Sequence, residues 1–360
     1  MTDLPALVAQ SVSPVLPDLA SRAVGGSVVA ANDEFFAPRE NLITPEAPVF
    51  RPHTFTHKGQ EYDGWETRRR RREPGDHDWA IVRLGMPGLV REVVVDTAFF
   101  TGNYPPFASV EGVALDDYPD VADLLGAPWQ TLVPRSALGG NTPNEFTVDS
   151  PVRWTHVRLR IYPDGGVARL RVHGEPVPDP AWLDDVPFDL AALANGGRVV
   201  RRSDGFYSPP DNMLRPGEPR VMGDGWETAR RRDGGNDWAV VRLAAPAVPR
   251  VLEIATTHYK GNAPDRVAVA GIDARGAESD DAALDDSAGW SEVLPPTRVQ
   301  PDTTHRFRCT DLAVTHLRLD ILPDGGIGRF RVYGALTADG RAQLLDRWRS
   351  TQPSSQSGAE

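Results

Sequence analysis

The sequence predicts an all-β protein made of two copies of one sandwich, and three observations carry that prediction. Long stretches of the chain are written twice, about 160 residues apart. Short runs alternate apolar and charged residues, as strands with one buried face do. Glycine and proline number 33 each and are spread along the chain, which supplies many turns between short elements.

The repetition sets the organisation. Asp63-Gly64-Trp65-Glu66-Thr67 returns as Asp224-Gly225-Trp226-Glu227-Thr228, and the strand-like run Asp78-Trp79-Ala80-Ile81-Val82-Arg83-Leu84 returns from Asp237 to Leu243. His156-Val157-Arg158-Leu159-Arg160-Ile161-Tyr162-Pro163-Asp164-Gly165-Gly166 returns 160 residues later, beginning at His316. The opening motif Asn32-Asp33-Glu34-Phe35-Phe36-Ala37-Pro38 returns later than this spacing requires, as Ser203-Asp204-Gly205-Phe206-Tyr207-Ser208-Pro209. The first copy therefore carries about ten extra residues before its Trp-Glu-Thr segment. Such a period exceeds the roughly 20–50 residues of solenoids and propellers and marks a duplicated domain. Each copy is large enough to close its own core. The expected division is an N-terminal extension over 1–20, a first repeat over 21–178, a linker over 179–197, a second repeat over 198–336, and a C-terminal helix and tail over 337–360.

In order along the chain, 80–84 and 93–95 read as strands. Residues 157–161 alternate, Pro163-Asp164-Gly165-Gly166 supplies a turn, and 167–172 alternate again, which predicts a hairpin. Residues 239–243, 251–254, 317–321 and 327–332 repeat these elements. Trp65, Trp79, Trp226 and Trp238 are expected in the core, since aromatic rings bury large apolar areas. Helix is expected over 181–193, with four prolines nearby, and over 340–350, where Leu344, Leu345 and Trp348 face one side. Residues 351–360 lack packing side chains and read as a disordered tail.

Composition narrows the function classes. The chain has 360 residues, 25% charged and 40% hydrophobic, with a formal net charge of −11 and a sequence pI near 5.3. That balance opposes binding to nucleic acid or anionic lipid, which begins with clustered positive charge. No run approaches the ~18 apolar residues of a membrane helix, and the start lacks the pattern of a secretory signal. With a single cysteine, Cys309, no intrachain disulfide forms, so a cytoplasmic protein is expected. Eight scattered histidines show no zinc-ligand spacing, so no bound metal or other cofactor is expected.

Taken together, the Asp-Gly-Trp segment, the Trp-Ala-(Ile/Val)-Val-Arg-Leu strand and the Arg-x-x-Val-x-Gly-type ending resemble the galactose-binding-like jelly-roll sandwich of discoidin domains. The fuller set goes further. Asp33 to Pro38 with Asn41-Leu42, Asp63 to Arg70, Asp78-Trp79, Phe100-Thr101-Gly102-Asn103-Tyr104-Pro105-Pro106 and Tyr162 to Gly166 resemble the allantoicase (allantoate amidinohydrolase) family. The resemblance runs from about residue 20 to 336, in the family's order and with its duplication. It implies two tandem jelly-roll sandwiches assembled as a homo-oligomer. It implies hydrolysis of allantoate to (S)-ureidoglycolate and urea in purine degradation. It brings no catalytic residues with it.

Those are sought from chemistry. Releasing urea from a carbon that carries a carboxylate and two ureido groups needs a proton donor for the leaving nitrogen and a base for water. The carboxylate needs a cation, best an arginine, and the ureido groups need carboxylate or amide partners. Glu66 and Glu227 are the candidate acid or base, with Arg70 and Arg231 for the substrate carboxylate. The competing reading is that residues 68–72 form a solvated run paired with nearby glutamates. Asn103 and Asn262, each after a glycine at a strand end, are candidates for the ureido groups or, equally, turn formers. His258 and Lys260, which replace Phe99 and Thr101, are ionisable additions of the second copy and candidate catalytic groups. Asp33 and Asp204 are candidate binding carboxylates, with turn capping as the blander reading, and Asp164 and Asp324 read as turn formers. A tandem carbohydrate-binding module without catalysis is the alternative function, and a structural relic of an enzyme is a third. The absence of a signal and of disulfides argues against the module, and retention of the polar motifs argues against the relic.

Overall fold

A computed structural model describes residues 16–70, 76–183, 186–275, 284, 289–309 and 311–353. The chain divides into two compact units, residues 16–178 together with the end of the chain from 349, and residues 179–348. Each is an antiparallel jelly-roll sandwich organised on one 19-residue strand.

In the first unit that strand is Asp78–Asp96. Its first half lies between Ser27–Ala31 and Arg153–Tyr162, and Phe107–Val113 and Gln130–Ala137 extend this layer. Its second half lies between Pro143–Thr147 and Arg169–Pro176. The change of partners falls between Arg83 and Gly88, where the register with Arg153–Tyr162 shifts. Pro87 sits in that gap, where an absent N–H costs the ladder nothing. Ile81, Leu84, Val93, Val95, Val157, Leu159, Ile161, Leu170 and Val172 are fully buried, and each such side chain contributes about 1.5–3 kcal/mol by leaving water.

The second unit repeats the plan on Asp237–Ala255. Arg198–Arg202 and Val314–Leu322 flank its first half, and Thr304–Arg308 and Arg329–Leu336 its second. Even the register is kept: Asp237 faces Ile321 as Asp78 faces Ile161. Pro246 occupies the second register gap.

Four expectations are corrected. The predicted hairpin is absent: 157–161 and 169–172 are strands, but both pair with Asp78–Asp96, at its opposite halves. Between them Gly166–Val167 pairs instead with Trp65–Glu66. Trp65 and Trp226 are fully buried as expected, whereas Trp79 and Trp238 are half-buried, because it is Asp78 and Asp237 beside them that point inward at 1% exposure. No helix spans 181–193. A 3-10 turn, Pro180–Trp182, gives way to the short strand Phe188–Asp189, which pairs with Arg329–Leu336. The Asp189 carboxylate accepts from the Ala191 and Val332 N–H groups, so part of the expected linker is built into the second unit. Thr351, expected in the tail, is instead buried and its carbonyl accepts from Arg153 N; residues 354–360 lie outside the described residues.

The C-terminal helix forms as Ala338–Ser350. A short helix not anticipated, Val121–Gly126, is held by a capping box in which Asp120 and Asp123 accept from each other's N–H.

Two glycines fix the turn after Arg153–Tyr162. Gly165 has φ 142°, which side-chain-bearing residues avoid. A Cβ at Gly166 would overlap the ring of Phe100, as one at Gly326 would overlap Tyr259. Replacing Gly166 with alanine therefore forces the turn off Phe100, and Gly166→Ala is expected to destabilise by about 1–3 kcal/mol, read as a lower urea midpoint at unchanged slope. A midpoint equal to wild type removes the close-approach argument.

Candidate active site

Three motifs far apart in sequence meet at one edge of the first unit. Trp65 and Glu66 pair with Val167 and Gly166. Alternation sends their side chains to opposite faces: Trp65 goes into the core, its indole N–H donating to Asp33 O at 2.8 Å, and Glu66 goes outward. Thr67 is buried against the same turn, its N–H donating to Gly165 O at 3.1 Å while its hydroxyl accepts from Gly165 N. Gly166 N in turn donates to Asn103 O at 2.8 Å. These bonds bring Asn103 beside Glu66, and Asn103 Nδ2 donates to Glu66 Oε1 at 2.8 Å.

The pair opens on a cavity of about 750 Å³ lined by Tyr62, Glu66, Asn103, Tyr104 and both Arg69 and Arg70, among others. Burial raises the Glu66 carboxyl above its ordinary value, against the opposing pull of the Asn103 hydrogen bond and the Arg69 charge. Glu66 Oε2 has no partner among the described residues.

The arginines divide differently from the sequence reading. Arg70 Nε donates to Asp78 Oδ1 at 2.7 Å, and its backbone N–H donates to Asp164 Oδ2. Arg231 repeats both bonds, with Asp237 Oδ1 at 2.8 Å and Asp324 Oδ2 at 2.8 Å, and adds Asp233. Both candidate carboxylate holders are thus engaged by carboxylates of their own unit. Asp164 and Asp324 are staples between two loops, more than turn formers. Arg69, at the cavity, is exposed and has no ion pair among the described residues. The same holds for its counterpart, Arg230. This position was not singled out from the sequence, although an arginine stands there in both copies.

The second unit rebuilds the pair: Asn262 Nδ2 donates to Glu227 Oε1 at 2.6 Å. His258 and Lys260 do not join it by any contact. His258 holds φ 73°, as Phe99 holds 67° at the matching place; its Nε2 donates to Pro219 O at 2.8 Å. Lys260 is 78% exposed, with its nearest carboxylate, Asp302, at 3.8 Å. Asp33 and Asp204 are also taken up locally. Asp33 Oδ1 accepts from Phe35 N and Arg68 N, and Asp204 Oδ2 accepts from Phe206 N and Ala229 N. The capping reading describes both.

The family model described as "Allantoicase repeat" matches residues 17–177 and, a second time, 188–337. This chain belongs to the allantoicase family. A probable allantoicase of Nocardia farcinica is 53% identical over 324 residues, covering 89% of this chain and 94% of that protein. One of Streptomyces coelicolor is 52% identical over 342 residues, covering 92% and 88%. The crystal structure of allantoicase from Saccharomyces cerevisiae superposes with a TM-score of 0.74 at 34% identity, covering 89% of this chain and 94% of that one. The allantoicase repeats coincide with the two sandwiches, so the Glu–Asn pair occurs once in each. Among the described residues no helix is long and apolar enough to cross a membrane.

Because Asn103 favours the charged form of Glu66, removing it leaves burial less opposed. In Asn103→Ala the Glu66 carboxyl is therefore expected to titrate at higher pH than in the wild type, followed by carbon-detected NMR of the glutamate carboxyls. A shift to lower pH, or none, contradicts the hydrogen bond.

Proposed function

We propose that the cavity of the first repeat hydrolyses allantoate to (S)-ureidoglycolate and urea, with Glu66 moving the proton and Arg69 holding the substrate carboxylate. The observation that carries the reading is a carboxyl raised by burial, oriented through one oxygen by Asn103, at an open cavity beside an arginine with no ion pair among the described residues. Family membership supplies the reaction.

Ionised Glu66, more basic than a free glutamate, accepts a proton from water through Oε2. The water oxygen bonds to the central carbon as that carbon's bond to one ureido nitrogen breaks, and the electron pair leaves with the nitrogen. Glu66 then returns the proton to that nitrogen, which departs as urea. One carboxyl serves as base and then acid, and ends as it began. Arg69 offers two parallel donors to the carboxylate, while the amide of Asn103 and the tyrosines can meet ureido oxygens and N–H groups. Arg70, bound to Asp78, keeps the loop that presents both Glu66 and Arg69 in place.

The same reading takes the protein as a cytoplasmic homo-oligomer. The single cysteine, Cys309, suits that compartment, where disulfides are rare. Exposed Tyr118 and Trp182 are the side-chain types enriched at subunit contacts.

Glu66→Gln keeps the shape and the Asn103 contact but removes the proton site, so kcat for urea release is expected to fall by about 10²–10⁴-fold with KM little changed. Unchanged turnover overturns the assignment. Arg69→Ala loses charge-assisted bonds and is expected to raise KM for allantoate by roughly 10–100-fold. A KM that stays at the wild-type value, with Arg70→Ala raising it instead, returns the role to Arg70.

A further inference from the structure

The two repeats keep one Glu–Asn pair each but surround it differently, and the difference begins in the ten extra residues of the first copy. That segment delivers Phe50, which stacks on Phe99 with ring centroids 5.7 Å apart and packs against Tyr62 at 6.0 Å. Tyr62 stacks on Phe100 at 5.0 Å. The ring of Tyr62 is thus fixed by neighbours at the cavity wall, while its hydroxyl has no partner among the described residues. In the second copy the shorter loop places Gly223 where the first has Tyr62, and Ala263 where it has Tyr104.

The ring stack is replaced there by hydrogen bonds. Tyr259, standing for Phe100, donates its hydroxyl to Met222 O at 2.6 Å, and His258, standing for Phe99, ties down Pro219. This draws Met222 over the pair: Asn262 Nδ2, already bound to Glu227, also lies 3.8 Å from Met222 Sδ. Asn103 has no such thioether on its amide. The ionisable residues that mark the second copy in the sequence are therefore ties and surface charge.

Resting on the reading of the first cavity as the active site, we propose that the first repeat alone turns over allantoate and that Tyr62 is its specificity-determining residue. Its hydroxyl hydrogen-bonds the ureido group retained in the product. The second repeat's Glu227–Asn262 pair has the Met222 thioether on its amide and lacks both tyrosines, so it keeps its motif as a structural element.

Two measurements test this on the full-length protein. In Glu66→Gln, urea release is expected to fall below a few per cent of wild type. A residue of about half means that the second repeat works equally well, which overturns the exclusivity but leaves the chemistry; full activity overturns the active-site reading as well. Tyr62→Phe keeps the ring stack and removes the hydroxyl. KM for allantoate is expected to rise by about 2–10-fold with kcat within a factor of two, the scale of one neutral hydrogen bond. An unchanged KM in Tyr62→Phe, with Glu66→Gln inactive, overturns the role of Tyr62 alone.

Discussion

A ladder of two residues on each side holds the site together. Trp65–Glu66 against Gly166–Val167 is too short to be stable alone, yet it fixes which way Glu66 points. It forms because Trp65 is locked in the core, because Thr67 binds Gly165 from both its backbone and its hydroxyl, and because Gly166 has no Cβ to meet Phe100. A slip of one residue in this pairing would exchange the faces of Trp65 and Glu66, burying a carboxylate and exposing an indole. The core therefore enforces the register that turns Glu66 toward the cavity. The same ladder in the second unit, Trp226–Glu227 against Ile327–Gly326, shows that duplication copied the constraint together with the strands.

Electrostatics separates the two adjacent arginines. Asp78 is almost wholly buried, and burying a carboxylate without a partner is costly. Arg70 meets that need and Asn32 adds a second donor at 2.8 Å. Arg70 thus commits its Nε and one terminal nitrogen to that aspartate. Arg69 faces solvent with no such obligation, and its charge also helps keep Glu66 ionised.

Much of the fold was legible because alternation is a local property: 80–84, 157–161 and 167–172 sit in strands or strand ends where the pattern put them. Which strands pair was not legible. Residues 157–161 and 169–172 look like a hairpin because a turn lies between them, but hydrogen bonding in a sandwich is set by distant segments, here one long strand shared by two layers. Trp79 misled for a related reason. Alternation gives two faces without saying which is inside, and the inward face holds an aspartate whose partners lie 8 and 46 residues away. At the candidate site, Glu66 and Asn103 stood out in the sequence as polar types repeated in both copies, but that they meet was not legible, since 37 residues separate them. Nor was the engagement of Arg70 by Asp78, a pair that only folding creates.

The divergence between repeats follows from the same physics. A duplicated sandwich keeps whatever its core enforces, so the Trp-Glu-Thr ladder and its asparagine persist whether or not chemistry occurs there. Rim loops are constrained only where something packs on them. In the first copy the added segment is anchored by rings, which leaves a tyrosine hydroxyl and an open cavity. In the second, hydrogen bonds from His258 and Tyr259 anchor a shorter loop and draw a methionine onto the amide. Persistence of a polar motif in both halves is thus evidence of shared folding, and the walls around that motif are where evidence of catalysis has to be sought.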